Sequence, residues 1–126
     1  MAVLVDTSVL IAVERGAQLL EPDEEYAIAA ITASELLHGV RRASAAEAAR
    51  RQAFVERVLA EVPTIAFTLV VARMHARLWS ELAAGGQAVG PHDLLIAATA
   101  IALDWPLLTL DRKGLARVPG LRLAQV

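Results

Sequence analysis

The sequence predicts an α/β domain built on a mainly parallel sheet, and three observations carry that expectation. Short apolar runs alternate with helix-length segments, which is the pattern of parallel βα units. One of those segments, LLIAATAIAL (94–103), is apolar almost all round and so belongs inside the fold. Finally, a chain of 126 residues with 56% hydrophobic content exceeds the roughly 45–50% usual for globular chains, much of it as Ala, Leu and Val. That is enough for one domain, 1–126, to bury a core without staples.

The elements follow in order. AVLV (2–5) is a buried strand that ends at Asp6. Thr7 and Ser8 then cap a helix to about Arg15, where Gly16 supplies a stop. The acidic stretch 18–25, which contains Pro22, is a surface loop. YAIAAI (26–31) is a second strand. Thr32 followed by Glu35 has the spelling of a capping box, so ITASELLHGV (31–40) opens a helix that runs toward Arg41. Gly39 either ends that helix or admits a neighbouring helix at close range, and the sequence leaves both open.

Segment 45–60 sets Phe54, Val55, Val58 and Leu59 on one face and pairs Glu47 with Arg51 at i,i+4 on the other. Pro63 opens a short strand near Ile65. A helix from Thr68 to Ala84 is stopped by Gly85 and Gly86, and Pro91 sits in the first turn of the apolar helix. LLTL (107–110) is a further strand ending at Asp111, and a last strand at 121–124 closes the sheet.

The bulk numbers exclude several classes. With no cysteine there are no disulfides and no thiolate zinc sites, as suits a reducing cytosol. MAVLVDTS lacks a basic leader, and the apolar stretch 94–103 falls well short of the ~20 residues of a membrane span. The expectation is a soluble, cytoplasmic chain without membrane contact. A net charge of −2 gives no global basic footprint, so nucleic acid would have to be met by local patches or metal ions.

Four acids sit beside the buried elements. Asp6 and Asp111 follow strands, while Glu35 and Asp93 are expected in the first turns of helices. All four fall at the carboxyl edge of a parallel sheet, where such folds hold their ligands. Singly, each is explained by capping, a turn or the helix dipole. Together they are harder to explain so, because two unit charges about 4 Å apart near a surface cost on the order of 4 kcal/mol. A hard divalent cation, Mg²⁺ or Mn²⁺, offsets that cost, and such ions serve phosphoester chemistry. Glu35 thus has two readings, as half of a capping box or as a site carboxylate.

The segments LVDTSVLI, ITASELLHGV, GPHDLLIAATAIAL and PLLTLDRKGLARVPGL, in this order and spacing, resemble the PIN-domain ribonucleases. The likeness is greatest to the VapC-type toxins of toxin–antitoxin pairs and spans nearly the whole chain. The resemblance implies a PIN fold whose metal-binding, catalytic acids are Asp6, Glu35, Asp93 and Asp111, with Asp6 and Asp93 nearest the metal. It implies a Mg²⁺- or Mn²⁺-dependent endoribonuclease that cuts structured tRNA or ribosomal RNA. It also implies a homodimer and a DNA-binding, VapB-like antitoxin whose C-terminal segment covers the acidic site. Ser8 and Thr109 are hydroxyls that help position water in that picture. The chain departs from the family after Asp111, where Arg112-Lys113-Gly114 stands in place of an acid and Phe.

Other polar residues are weaker candidates. His38, His75 and His92 are expected to be packing or surface residues. Arg41, Arg42, Arg50 and Arg51 form either a phosphate-binding strip or a solvated helix face with ion pairs, the second being the commoner case. Trp79 and Trp105 are expected in the core or an interface rather than stacked on bases. A dehalogenase-like phosphatase requires a second Asp two positions after Asp6, where this chain has Ser8. A receiver-like domain places its phosphoacceptor after a mid-domain strand. A catalytically silent PIN-fold binding module is the remaining alternative, and an intact set of four acids argues against it.

Overall fold

The computed structural model describes residues 2–125. Four strands, β1 (Val3–Val5), β2 (Tyr26–Ala29), β3 (Thr64–Ile65) and β4 (Leu107–Leu108), form one sheet in the order β3-β2-β1-β4. All three pairings are parallel, with Leu4 opposite both Ala27 and Leu107. Around them lie α1 (Thr7–Glu14), α2 (Ala30–Arg42), α3 (Ala45–Glu61), α4 (Leu69–Ala84), α5 (Pro91–Leu103) and the short α6 (Arg112–Leu115). The expected mainly parallel sheet flanked by helices is therefore what the chain forms.

Strand alternation divides the core between two faces. Leu4, Ala27, Ala29 and Leu107 pack with Val71, Leu78 and Leu82 of α4 and with α5. Val3, Val5, Ile28 and Leu108 point the other way, toward Val9 and Leu10 of α1, Leu36 of α2, and Val55 and Val58 of α3. Since both faces are covered, the strands read as continuous apolar runs rather than alternating ones. The apolar helix α5 buries Leu94, Ile96, Ala97, Ala98, Thr99 and Ala100, and the Thr99 hydroxyl returns a hydrogen bond to the Leu95 carbonyl at 2.8 Å. Among the described residues no helix is long and apolar enough to cross a membrane.

Several local expectations are corrected. Thr7 and Ser8 lie inside α1, and the N-cap position belongs to Asp6, whose side chain makes no cap bond. Likewise α2 begins at Ala30, directly from the last residue of β2, with Ala29 at the N-cap. Thr32 therefore is not a cap, and Glu35 lies in the second turn, not the first. A strand that passes straight into a helix has no turn for a capping residue to occupy. Gly39 neither ends α2 nor admits a neighbour, since a Cβ there would meet nothing within 4 Å. Glu47 pairs with Arg50, one turn away at i,i+3, while Arg51 instead reaches Glu14 of α1 at 3.3 Å. The strand expected at 121–124 is a single bridge, Leu107 to Leu123. Helix α6 was not foreseen, because its four residues show no apolar periodicity.

Candidate active site

The sheet topology brings the ends of β1 and β4 side by side, and the residues that follow them meet. Asp6 is only 4% exposed, and its Oδ2 accepts hydrogen bonds from Ser8 Oγ and Thr109 Oγ1, each at 2.7 Å. Both hydroxyls also accept from the β4 loop, Ser8 Oγ from the Leu110 amide at 3.2 Å and Thr109 Oγ1 from the Asp111 amide at 3.0 Å. Two hydroxyls thus satisfy the buried Asp6 side chain and tie the loop bearing Asp111 against it. They act on the acid itself, a more direct role than positioning water.

Glu35 projects from the second turn of α2 toward the same edge. Its Oε1 accepts from Thr7 Oγ1 at 2.7 Å, and its Oε2 lies 3.2 Å from His92 Nδ1. The side chain does not fold back on the helix start, so the capping-box reading fails in both of its halves. Asp93 lies in the first turn of α5. Its carboxyl pKa is pushed above the ordinary value of 3.8, first by burial and then by the charges of Asp6, Asp111 and Glu35, with His92 opposing. All three other acids act on one carboxyl group, which is the electrical mark of their convergence.

The profile of the PIN domain family matches residues 3–121, nearly the whole chain. A ribonuclease VapC of Rickettsia bellii is 37% identical over 132 residues, covering 100% of this chain and 97% of that protein. This chain belongs to the PIN-domain family. A tRNA(fMet)-specific endonuclease VapC of Salmonella typhimurium is 30% identical, covering 76% of this chain and 71% of its own. Among solved structures, VapBC2 from Rickettsia felis bound to a DNA fragment from its promoter superposes with a TM-score of 0.89. It has 26% identity and covers 98% of each chain.

In this PIN domain Asp111 stands at the start of α6, where its Oδ1 accepts from the Gly114 amide at 3.2 Å. A Cβ on Gly114 would lie 2.7 Å from Asp111 Oδ2, so only glycine lets the loop close around the acid in this way. The departure after Asp111 therefore has a local purpose: the carboxylate is wrapped by its own loop. Of the two cations there, Arg112 is tied to the Ala124 carbonyl at 2.6 Å and Lys113 is exposed.

The donor set suits a hard divalent ion, since it consists of carboxylate oxygens whose mutual repulsion a cation would offset. Among the described residues no three His, Asp or Glu side chains close into a finished cage.

The remaining candidates divide clearly. His92, expected to be a packing or surface residue, is 58% exposed and touches Glu35. His38 is exposed, and the His75 ring lies between those of Phe67 and Trp79, at 6.0 and 5.7 Å. Arg50 and Arg51 are engaged by Glu47 and Glu14, which leaves Arg41 and Arg42 exposed at the end of α2. Trp105 packs against the core, whereas Trp79 is 63% exposed and is not a core residue. Thr7 and Thr32 were missed as site residues. Their contacts span 25 and 28 positions in the chain, and no local pattern announces such pairs.

Proposed function

We propose that this PIN-domain chain is a metal-dependent endoribonuclease and the toxin of a toxin–antitoxin pair. The observation that carries the reading is the convergence of Asp6, Glu35 and Asp111 on Asp93 at the carboxyl edge of the sheet. Asp6 and Asp93 would hold a Mg²⁺ or Mn²⁺ ion directly, with Glu35 and Asp111 completing its surroundings through water or a second ion. When bound, such an ion supplies positive charge at phosphoryl oxygens and a water acidic enough to attack phosphorus.

The chain's own residues do the remaining work. Ser8 and Thr109 hold Asp6 in place, the Gly114 amide fixes Asp111, and Thr7 with His92 orients Glu35. In the reaction, water adds to phosphorus as the 3′-oxygen bond breaks, which leaves a 5′-phosphate and a 3′-hydroxyl. Structured RNA, tRNA or ribosomal RNA, is the substrate class, supported by the tRNA-specific name of the Salmonella relative.

A VapB-like, DNA-binding antitoxin is the partner, supported by the likeness to a VapBC complex on promoter DNA. A homodimer fits the apolar side chains of Phe67, Leu69, Val70 and Trp79, all exposed on and just before α4. Neither a phosphatase nor a silent module gains support, since Ser8 occupies the position a dehalogenase-like Asp requires and all four acids are present. The test is alanine at each acid in turn, with structured RNA and Mn²⁺. Each variant should fold and lose at least about a hundredfold in kcat, the scale of removing one preorganised electrostatic group. Full activity in the Asp6→Ala or Asp93→Ala protein contradicts the reading.

A further inference from the structure

Glu35 is the acid of this site in which each carboxylate oxygen has its own donor. On one side, Thr7 Oγ1 lies 2.7 Å from Oε1 and 3.1 Å from Thr32 Oγ1. A carboxylate can only accept, and a threonine hydroxyl has a single proton. The Thr7 proton must therefore point to Glu35, which makes Thr32 the donor to Thr7. Thr32 is 0% exposed and Thr7 9%, so this relay runs through dry protein, where linked hydrogen bonds strengthen one another. On the other side, His92 Nδ1 lies 3.2 Å from Oε2, and the same rule makes that nitrogen the donor.

We propose that Thr32, Thr7 and His92 are positioning residues that clamp Glu35 from the buried and the exposed side, leaving its remaining lone pairs turned toward Asp93. Thr32 acts only through Thr7, and His92 acts from solvent. The proposal rests on Glu35 being a working acid of the site. It also gives a role to the hydroxyl of Thr32, buried within α2 where a helix cap has no use.

The experiment compares Thr32→Val and Thr32→Ser, Thr7→Val and Thr7→Ser, and His92→Ala, His92→Asn and His92→Gln. Three quantities are measured: kcat and KM on structured RNA with Mn²⁺, Mn²⁺ affinity by calorimetry, and melting temperature. The valine variants and His92→Ala should lose about 10- to 100-fold in kcat or Mn²⁺ affinity, the scale of removing a ligand's supporting partner, with KM for RNA unchanged. Serine should restore the threonine losses. Asparagine should restore His92, because its amide nitrogen takes the place of Nδ1, and glutamine, which mimics Nε2, should not.

Long-range ¹H–¹⁵N NMR of labelled histidine reads the clamp without any reaction. At pH about 8.5, where an ordinary imidazole is neutral, His92 should carry its proton on Nδ1 and should lose that preference in Glu35→Ala. Wild-type kcat and Mn²⁺ affinity in Thr32→Val overturn the relay, and an Nε2–H tautomer in the wild type overturns the His92 arm. If the wild-type protein cuts no RNA, the ribonuclease reading falls, and the Mn²⁺ affinities and the tautomer then decide the two arms of the clamp. If a valine variant fails to fold, Thr32→Ala and Thr7→Ala, which also lack the hydroxyl, take its place against the serine variants in the same measurements.

Discussion

Asp93 shows most sharply what the site does to a single residue. Burial and three neighbouring carboxylates make its folded form hold a proton more tightly than the unfolded chain does, whose value is near 3.8. In metal-free protein the stability linked to this group is therefore complete below that value and is lost as pH rises through the folded value. Asp93→Asn removes the repulsion. It should raise the melting temperature at pH about 7.5 and leave it nearly unchanged at pH about 3.5, a contrast that thermal unfolding at the two values checks. A lower melting temperature at the higher pH would contradict the repulsion. Gly114 makes a second case. In Gly114→Ala the new methyl must push the Asp111 carboxylate off the amide that fixes it, so cleavage should fall about tenfold or more while the melting temperature stays within a few degrees. The acids themselves were legible because their types and their places after strands are local facts. Thr7, Thr32 and His92 were not, since their roles exist only once helices 25 to 57 positions apart have met.

At the scale of elements, the same sequence features were informative wherever burial dictates composition. The helix α5 was legible because a segment apolar on every side can only be interior. For that reason Ile96→Ala, at 1% exposure, should cost about 2–5 kcal/mol in denaturant unfolding, the range for emptying a packed core site. A cost within experimental error would mean that α5 is not packed between the sheet and α4. The start of α2 was misread for a physical reason. Thr32 and Glu35 spell a capping box, but the backbone turns from β2 into α2 at Ala29 without a loop, so the spelling falls one turn inside the helix. Both side chains were then free for longer-range work, Thr32 toward Thr7 and Glu35 toward the acidic edge. Strand lengths were overestimated because apolar runs continue into the turns beyond the ladder, as at Thr109 and Leu110 after β4.

For the whole molecule, topology is what converts four scattered acids into one site. The order β3-β2-β1-β4 sets β1 and β4 as neighbours although Asp6 and Thr109 lie 103 positions apart. Because every pairing is parallel, the residues that follow the strands gather at one edge, opposite the edge where Glu21, Glu24, Glu25 and Glu61 line a separate surface cavity of about 840 Å³. The central claim is that this edge cuts phosphodiesters by means of a divalent ion held by its acids. It is tested most directly by mapping the ends of a structured RNA incubated with the purified protein and Mn²⁺, with and without EDTA, for wild type and Asp93→Asn. New 5′-phosphate ends that vanish both in EDTA and in the variant are the predicted result. Cleavage that persists undiminished in EDTA, or in Asp93→Asn, would contradict it.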